Sequence, residues 1–147
     1  MLGRLARWLR VLGHDVVYGP HLRRDALVRC ARGEGRFLVT RDTRLRRERN
    51  LPPHAILRSN DFRDQLRELS RLISLGDRPV LRRCLDCNRL LETVSTEVAR
   101  ERVPPYVAAT QTSFWRCSAC DRLYWPATHV QRMTRELEAI GLPDGST

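Results

Sequence analysis

The chain contains no lysine, because all 27 of its basic residues are arginines. We attribute this choice of Arg over Lys to a coding sequence rich in G and C. The chain also lacks any apolar stretch near the ~18 residues that a membrane span needs, which excludes an integral membrane protein. Hydrophobic residues make up 41% and charged residues 30% of the chain. These proportions predict a folded, soluble protein and exclude a disordered or fibrous one.

Acidic residues are too few to balance the arginines. The 17 acidic side chains leave a net charge of +10 at pH 7. Such a surplus favours a polyanionic partner, with RNA or DNA ahead of a membrane surface. Arginine also binds phosphate with two parallel hydrogen bonds and stacks on bases, which lysine does not. The composition therefore predicts a nucleic-acid partner.

Secretory features are also missing. The N-terminal sequence MLGRLARWLRVLG is interrupted by arginine too often to provide the apolar core of a signal peptide. The cysteines are odd in number, at Cys30, Cys84, Cys87, Cys117 and Cys120. An odd number without a signal peptide argues against a secreted disulfide framework. We expect a cytoplasmic protein with a metal site.

Four of the cysteines form two Cys-x-x-Cys pairs, Cys84/Cys87 and Cys117/Cys120, with 29 residues between the pairs. Two such pairs complete a tetrahedral Cys₄ zinc site, and a hairpin or loop can absorb the long separation. A redox-active Cys-x-x-Cys is the alternative, although it would not ordinarily occur twice in one small module. A closed Cys₄ shell leaves no position for water, so we predict a structural zinc.

The first half of the chain alternates helical and strand patterns. Short apolar runs at residues 14–18, 37–40 and 55–57 predict strands, and amphipathic segments between them predict helices. Helices between short apolar strands are typical of a parallel α/β sheet. The pattern opens on a helix with no strand before it, which is unusual for this class.

The second half has a different character. From Pro79 the helical periodicity fades, and the paired cysteines and most aromatic residues appear. We therefore predict an α/β domain over residues 1–78, a small β-rich zinc ribbon over 79–133 and a short tail over 134–147. The zinc would supply much of the folding free energy of the ribbon, because a core of about 50 residues is small.

Three aspartates follow or flank the predicted strands. Asp42 lies two residues past the strand at 37–40, while Asp25 and Asp61 stand at helix starts. In open parallel sheets ligands bind beyond the carboxyl ends of the strands, where these carboxylates could hold a divalent cation. Each aspartate also suits a plain helix cap, so both interpretations remain open. Carboxylates for Mg²⁺ or Mn²⁺ among arginines for phosphate are what a nuclease needs.

Several motifs occur together in a recognisable order. These are LGRLARWLRVLGHDV, then RFLVTRD, then the two cysteine pairs with VPPY between them, and finally LYWPATHVQRM. In this order they resemble the Mut7-C RNase family over about residues 1–133. The resemblance implies a PIN-like ribonuclease domain followed by a Cys₄ zinc ribbon, and RNA as the substrate.

The resemblance also implies residue roles. It makes Asp42 the first candidate ligand for a catalytic Mg²⁺ or Mn²⁺, Asp25 the second, and Asp61 a weaker third catalytic residue. Arg41, and with it Arg44 or Arg46, would neutralise the phosphate of the RNA, although a solvated helix face explains any single arginine equally well.

Family members usually begin with a strand that carries an Asp just before the LGRLARWLR helix, whereas Met1 falls at that junction here. The resemblance therefore implies an N-terminally truncated nuclease domain with weak or no activity, either because the start site is misassigned or because the chain is a variant with an impaired site. The alternative is a non-catalytic RNA-binding protein, in which ribbon aromatics such as Trp125 stack on unpaired bases. These aromatics suit the small core of the ribbon equally well. The oligomeric state is not predicted by any pattern.

Overall fold

The computed structural model of the chain describes residues 2–19, 22–126 and 128–142. Its helices are α1 (Gly3–Val11), α2 (Arg24–Glu34), α3 (Phe62–Ser70), α4 (Thr96–Arg100), α5 (Pro105–Thr110) and α6 (Thr128–Ile140). Its strands are β1 (Leu38–Thr40), β2 (His54–Ile56), β3 (Glu92–Val94), β4 (Phe114–Arg116) and β5 (Leu123–Tyr124). A 3₁₀ helix over Thr43–Arg47 lies between β1 and β2. No helix in these described ranges is long and apolar enough to cross a membrane.

The first half contains the parallel pair that the sequence predicts. β1 pairs with β2 in parallel, with Val39 opposite Ala55. The Leu57 N–H continues the ladder by donating to the Thr40 carbonyl oxygen at 2.8 Å. The bounds of both strands lie within one residue of the predicted segments. The prediction succeeds here because a short apolar run bounded by polar turn residues is typical of a buried strand. The parallel α/β prediction is thus confirmed for these two strands.

The predicted strand at residues 14–18 is wrong, because the structure forms no strand there. Both backbone groups of Val16 bind side chains. Its N–H donates to Asn88 Oδ1 at 2.9 Å, and its carbonyl oxygen accepts from Arg10 Nη2 at 2.9 Å. Because these contacts satisfy both backbone groups of Val16, this residue needs no neighbouring strand.

One apolar core joins the two ends of the chain. Leu5 and Leu9 of α1 pack in the same buried cluster as Leu66 and Leu69 of α3. The cluster also contains Leu137 and Ile140 of α6. The stripe of leucines in α1 and the stripe in α3 thus face each other, as amphipathic helices require. The core therefore holds the C-terminal helix against the first half of the chain.

The second half forms a three-stranded antiparallel sheet in the order β3-β4-β5. Trp115 of β4 stands opposite Thr93 of β3 and Tyr124 of β5. The two short helices α4 and α5 lie between β3 and β4 in the sequence. They bury Ala99 and Val107 against Phe114. These helices account for the long separation between the two cysteine pairs.

Candidate functional sites

The four paired cysteines come together in space. The sulfur atoms of Cys84, Cys87, Cys117 and Cys120 all lie within 4.8 Å of one another. Cys84 Sγ is 3.7 Å from Cys120 Sγ, and a tetrahedral shell with Zn–S bonds of about 2.3 Å places sulfurs about 3.8 Å apart. The donor set and its spacing therefore fit one zinc ion. The structure thus brings together the four cysteines that the sequence pairs, in a cluster that could hold a metal ion such as zinc.

Each cysteine pair lies in a backbone turn, and the two turns have the same hydrogen-bond pattern. In the first knuckle (residues 84–89) the Cys84 N–H donates to the Arg89 carbonyl oxygen at 2.8 Å. In the second knuckle (residues 117–122) the Cys117 N–H donates to the Arg122 carbonyl oxygen at 3.0 Å. Asn88 and Asp121 follow the second cysteine of each knuckle with left-handed φ angles of 66° and 62°. Asn and Asp tolerate this conformation better than other side chains do.

Hydrogen bonds favour the thiolate that zinc binds. Burial raises the pKa of Cys84, but the Tyr124 hydroxyl and the backbone N–H groups of Cys87 and Asp86 more than offset this, so the pKa falls to about 7. The hydroxyl oxygen of Tyr124 accepts from the Leu85 N–H at 3.1 Å and lies 3.2 Å from Cys84 Sγ. The hydroxyl proton can therefore point at the sulfur.

A second candidate site lies beyond the carboxyl end of β1. A cavity of about 550 Å³, which we term the Asp42 cavity, is lined by Asp25, Asp42 and Glu48 together with Arg24 and Arg44. The structure thus brings Asp25 and Asp42 to one cavity. Asp61 is not among the residues that line it.

Asp42 is held in place by arginines and by the backbone. Its Oδ1 accepts from the Arg44 N–H and from Arg44 Nε, both at 3.0 Å, and its Oδ2 accepts from Arg44 Nη2 at 3.1 Å. Arg24 Nη1 lies 3.6 Å from Oδ2. The Arg44 side chain, followed by the Arg44 N–H, lowers the pKa of Asp42 below its ordinary value. The carboxylate is therefore ionised at neutral pH.

The other two aspartates have different surroundings. Asp25 is in the first turn of α2, with its side chain 74% exposed and 3.7 Å from Arg29. Asp61 caps α3, because its side chain accepts from the Arg63 N–H at 2.8 Å. The capping interpretation thus describes Asp42 and Asp61, while the N-cap of α2 is Arg23 and not Asp25.

Glu48 was missed by the sequence analysis. It follows the 3₁₀ helix, and its carboxylate forms an ion pair with Arg24, whose Nε lies 3.2 Å from Glu48 Oε1. Arg24 thereby links Glu48 to Asp42. No local pattern indicates this residue, because Asp42 and Glu48 are the extended residues that flank the 3₁₀ helix, and their link runs through Arg24 of α2.

The arginines and the tryptophan predicted to contact RNA differ in exposure. The Arg44 side chain is 75% exposed, and Arg46 is exposed on the 3₁₀ helix. Arg41 is half-buried, and its Nε has no hydrogen-bond partner among the described residues. Trp125 is half-buried and packs against Phe114, with ring centroids 6.3 Å apart. It therefore packs against the apolar cluster of Ala99, Val107 and Phe114, with part of its ring accessible.

The acidic side chains of the described residues do not form a preassembled metal cluster. Within the described ranges, the cysteine quartet is the one group of three or more potential ligands that converge on a single point. A Mg²⁺ or Mn²⁺ ion at the Asp42 cavity would therefore rest on one or two carboxylates, with water and substrate phosphate completing its shell, which is a usual arrangement for Mg²⁺.

Comparison with protein families gives one match that covers most of the chain. The model described as the Mut7-C RNAse domain matches residues 1–137 of the 147. Comparisons with curated proteins and with solved structures gave no match.

Proposed function

The chain belongs to the Mut7-C RNAse domain family, and from this membership and the Asp42 cavity we propose that it is a metal-dependent ribonuclease. In this proposal residues 1–78 form a PIN-like nuclease unit that hydrolyses RNA phosphodiester bonds. Residues 79–133 form a zinc ribbon that assists RNA binding. The observation that supports the proposal best is an ionised Asp42 at the end of a parallel strand, flanked by Arg24 and Arg44.

Asp42 is the principal metal ligand in this proposal, with Asp25 as the second. When bound, Mg²⁺ or Mn²⁺ supplies Lewis-acid stabilisation of the charge that develops on the phosphoryl group. Asp61 remains a weaker candidate, because it lies outside the cavity lining. For Asp42 to bind the cation, Arg44 must release one or both carboxylate oxygens of Asp42 when the cation enters.

Arginines would hold the RNA. Arg44 and Arg24 already face a carboxylate in the free protein, and a phosphate presents similar oxygens to the same guanidinium groups. Arg46 extends the exposed basic surface beside them, and Arg41 lies next to Asp42 in the chain. On the ribbon, the accessible part of Trp125 would provide a stacking surface for one base.

The experiment that tests this proposal is RNA cleavage by the purified chain. A 5′-labelled single-stranded RNA is incubated with the protein and Mn²⁺, and again after the Mn²⁺ is chelated. We expect Mn²⁺-dependent products with 5′-phosphate and 3′-hydroxyl ends. Cleavage that persists equally in the presence of the chelator would contradict a metal-dependent mechanism.

One observation favours a second candidate, a non-catalytic RNA-binding protein. Both carboxylate oxygens of Asp42 are already hydrogen-bonded to Arg44, which leaves fewer lone pairs for a cation. A wild-type chain that binds RNA tightly but cleaves it no faster than Asp42→Asn would support this second function and contradict the first.

A further inference from the structure

The first zinc knuckle is fastened to helix α1 by a buried arginine. Arg10, in the last turn of α1, is only 8% exposed. Its Nη1 donates to the carbonyl oxygens of Leu85 at 2.8 Å and Asp86 at 3.3 Å, between the two cysteines of the knuckle. Its Nη2 and Nε donate to the Val16 carbonyl oxygen at 2.9 and 3.3 Å. One guanidinium thus joins the knuckle, α1 and the segment after α1.

Asn88 makes a second connection between the same parts. Its Oδ1 accepts from the Val16 N–H at 2.9 Å, and its Nδ2 donates to Asp15 Oδ1 at 2.7 Å. Because Asn88 ends the first knuckle in a left-handed conformation, the fold of the knuckle decides where this amide points. Residues 15–16 have no strand partner in the described structure, so these contacts replace a sheet ladder.

Charge adds to the connection at the surface. Asp86 forms ion pairs with Arg7 of α1 at 2.8 Å and with Arg122 of the second knuckle. A zinc ion with four thiolates carries a net negative charge, and the guanidinium of Arg10 lies against the backbone carbonyls between Cys84 and Cys87. The negative charge of the zinc-bound knuckle therefore complements the positive charge of Arg10 on α1.

The second knuckle offers an internal comparison. Asp121 occupies the position equivalent to Asn88, with nearly the same φ angle. Its side chain pairs with Arg102 and Arg116, both within the second half of the chain. The same turn is therefore present twice, and in one copy the turn residue contacts residues 15–16.

We propose that the first zinc knuckle anchors the end of α1 and residues 14–16. Through the contacts of Arg10 and Asn88, binding of zinc to the knuckle would keep the end of α1 closed. Without zinc, the backbone carbonyls of Leu85 and Asp86 are no longer fixed opposite Arg10, and the Asn88 amide is no longer aimed at Val16. The end of α1 then opens more often. Arg10 and Asn88 are positioning residues in this account, which holds whether or not the chain is a nuclease.

Hydrogen–deuterium exchange with and without zinc tests the proposal. The amides to follow are those of Leu12, Gly13 and His14, which bond within or just after α1 and not to the knuckle. On removal of zinc from the wild-type chain with a chelator, we expect their protection to fall about fivefold or more. Unchanged protection at these amides, while the ribbon amides exchange freely, would overturn the proposal.

A matched pair of variants separates anchoring from general loosening of a knuckle. Asn88→Gly and Asp121→Gly each remove the side chain of the left-handed residue that follows the second cysteine of a knuckle, and glycine accepts that conformation. We expect zinc-loaded Asn88→Gly to lose protection at residues 12–14, whereas Asp121→Gly resembles the wild type. Equal effects of the two variants would contradict the anchoring role of Asn88.

Zinc affinity gives a readout that exchange does not. Because coupling between two sites is reciprocal, loss of the anchor must also weaken zinc binding. In competition with a chromophoric chelator, Asn88→Gly should release zinc at a severalfold lower chelator concentration than Asp121→Gly. If Asn88→Gly does not fold, Arg10→Met, which removes the other connection, takes its place in both measurements. Identical zinc affinities in all variants would overturn the proposal.

Discussion

The guanidinium of Arg44 donates two hydrogen bonds to the carboxylate of Asp42, from Nε to Oδ1 at 3.0 Å and from Nη2 to Oδ2 at 3.1 Å. The Arg44 N–H adds a third bond to the same carboxylate, as a helix cap. The residue proposed to bind the metal is thus also the residue that starts the 3₁₀ helix. Replacement of Asp42 will therefore disturb local structure as well as chemistry, and its effects must be compared with those of a cap variant.

The Asp42–Arg44 pair predicts a pH effect. Because Arg44 lowers the pKa of Asp42, the pair stabilises the folded state above the ordinary Asp pKa, and this contribution is lost as the pH falls through the lowered value. Arg44→Gln should raise the Asp42 pKa toward about 3.9. Carboxyl chemical shifts in an NMR titration measure this directly. An Asp42 titration that is identical in both proteins would show that Arg44 does not hold the carboxylate in solution.

Removal of one zinc ligand should unfold the ribbon first. The wild-type chain should contain one zinc ion, and Cys84→Ser should contain far less, because Cys84 is a fully buried member of the quartet. Thermal unfolding and elemental analysis follow the two effects. Cys30→Ser is the control, since Cys30 lies on α2 outside the quartet. Wild-type protein purified without chelator that contains no zinc would contradict the assignment.

The shared core of α1, α3 and α6 predicts a large loss of stability on truncation of Leu66. This residue is 0% exposed, so Leu66→Ala should lower the free energy of unfolding by about 2–5 kcal/mol. Leu72, which is 60% exposed, is not part of that cluster. Leu72→Ala should stay within about 0.5 kcal/mol of the wild type in urea denaturation. If Leu66→Ala and Leu72→Ala lost similar amounts of unfolding free energy, Leu66 would not be the buried core residue described above.

The net charge of +10 predicts steep salt dependence of RNA binding. Log K should fall with log salt by roughly 0.7 for each phosphate contact with single-stranded RNA. Arg46→Gln, beside the Asp42 cavity, should reduce the slope by about one contact. Arg71→Gln, which follows α3, serves as the control with the same change of charge. Binding that does not respond to salt would exclude an electrostatic RNA interface.

The local patterns predicted what local interactions decide. The two cysteine pairs predicted the cluster of four sulfur atoms because each knuckle is a short turn whose two cysteines are close in the sequence. The cap interpretation was right for Asp42 and Asp61, since each aspartate bonds to a backbone N–H two residues later. The β1 and β2 segments were also recognisable, because their apolar residues are consecutive.

Contacts distant in the sequence decided the rest. Val16 looked like part of a strand, but its backbone groups bind Arg10 and Asn88, and Asn88 lies 72 residues away. No pattern around residues 14–18 reveals that partner. Glu48 joined the Asp42 cavity through Arg24 of another helix. Such pairings depend on how elements pack, which periodicity alone does not contain.

The measurement that tests the proposed ribonuclease most directly compares Asp42→Asn with the wild type for Mn²⁺-dependent RNA cleavage and for RNA affinity in the same preparation. Asp61→Asn is the matched comparison, because Asp61 is likewise an N-cap but lies outside the Asp42 cavity. We predict that Asp42→Asn abolishes cleavage and still binds RNA, whereas Asp61→Asn, at the weaker candidate, loses activity only in part. Undiminished cleavage by folded Asp42→Asn would contradict the placement of the catalytic site at Asp42.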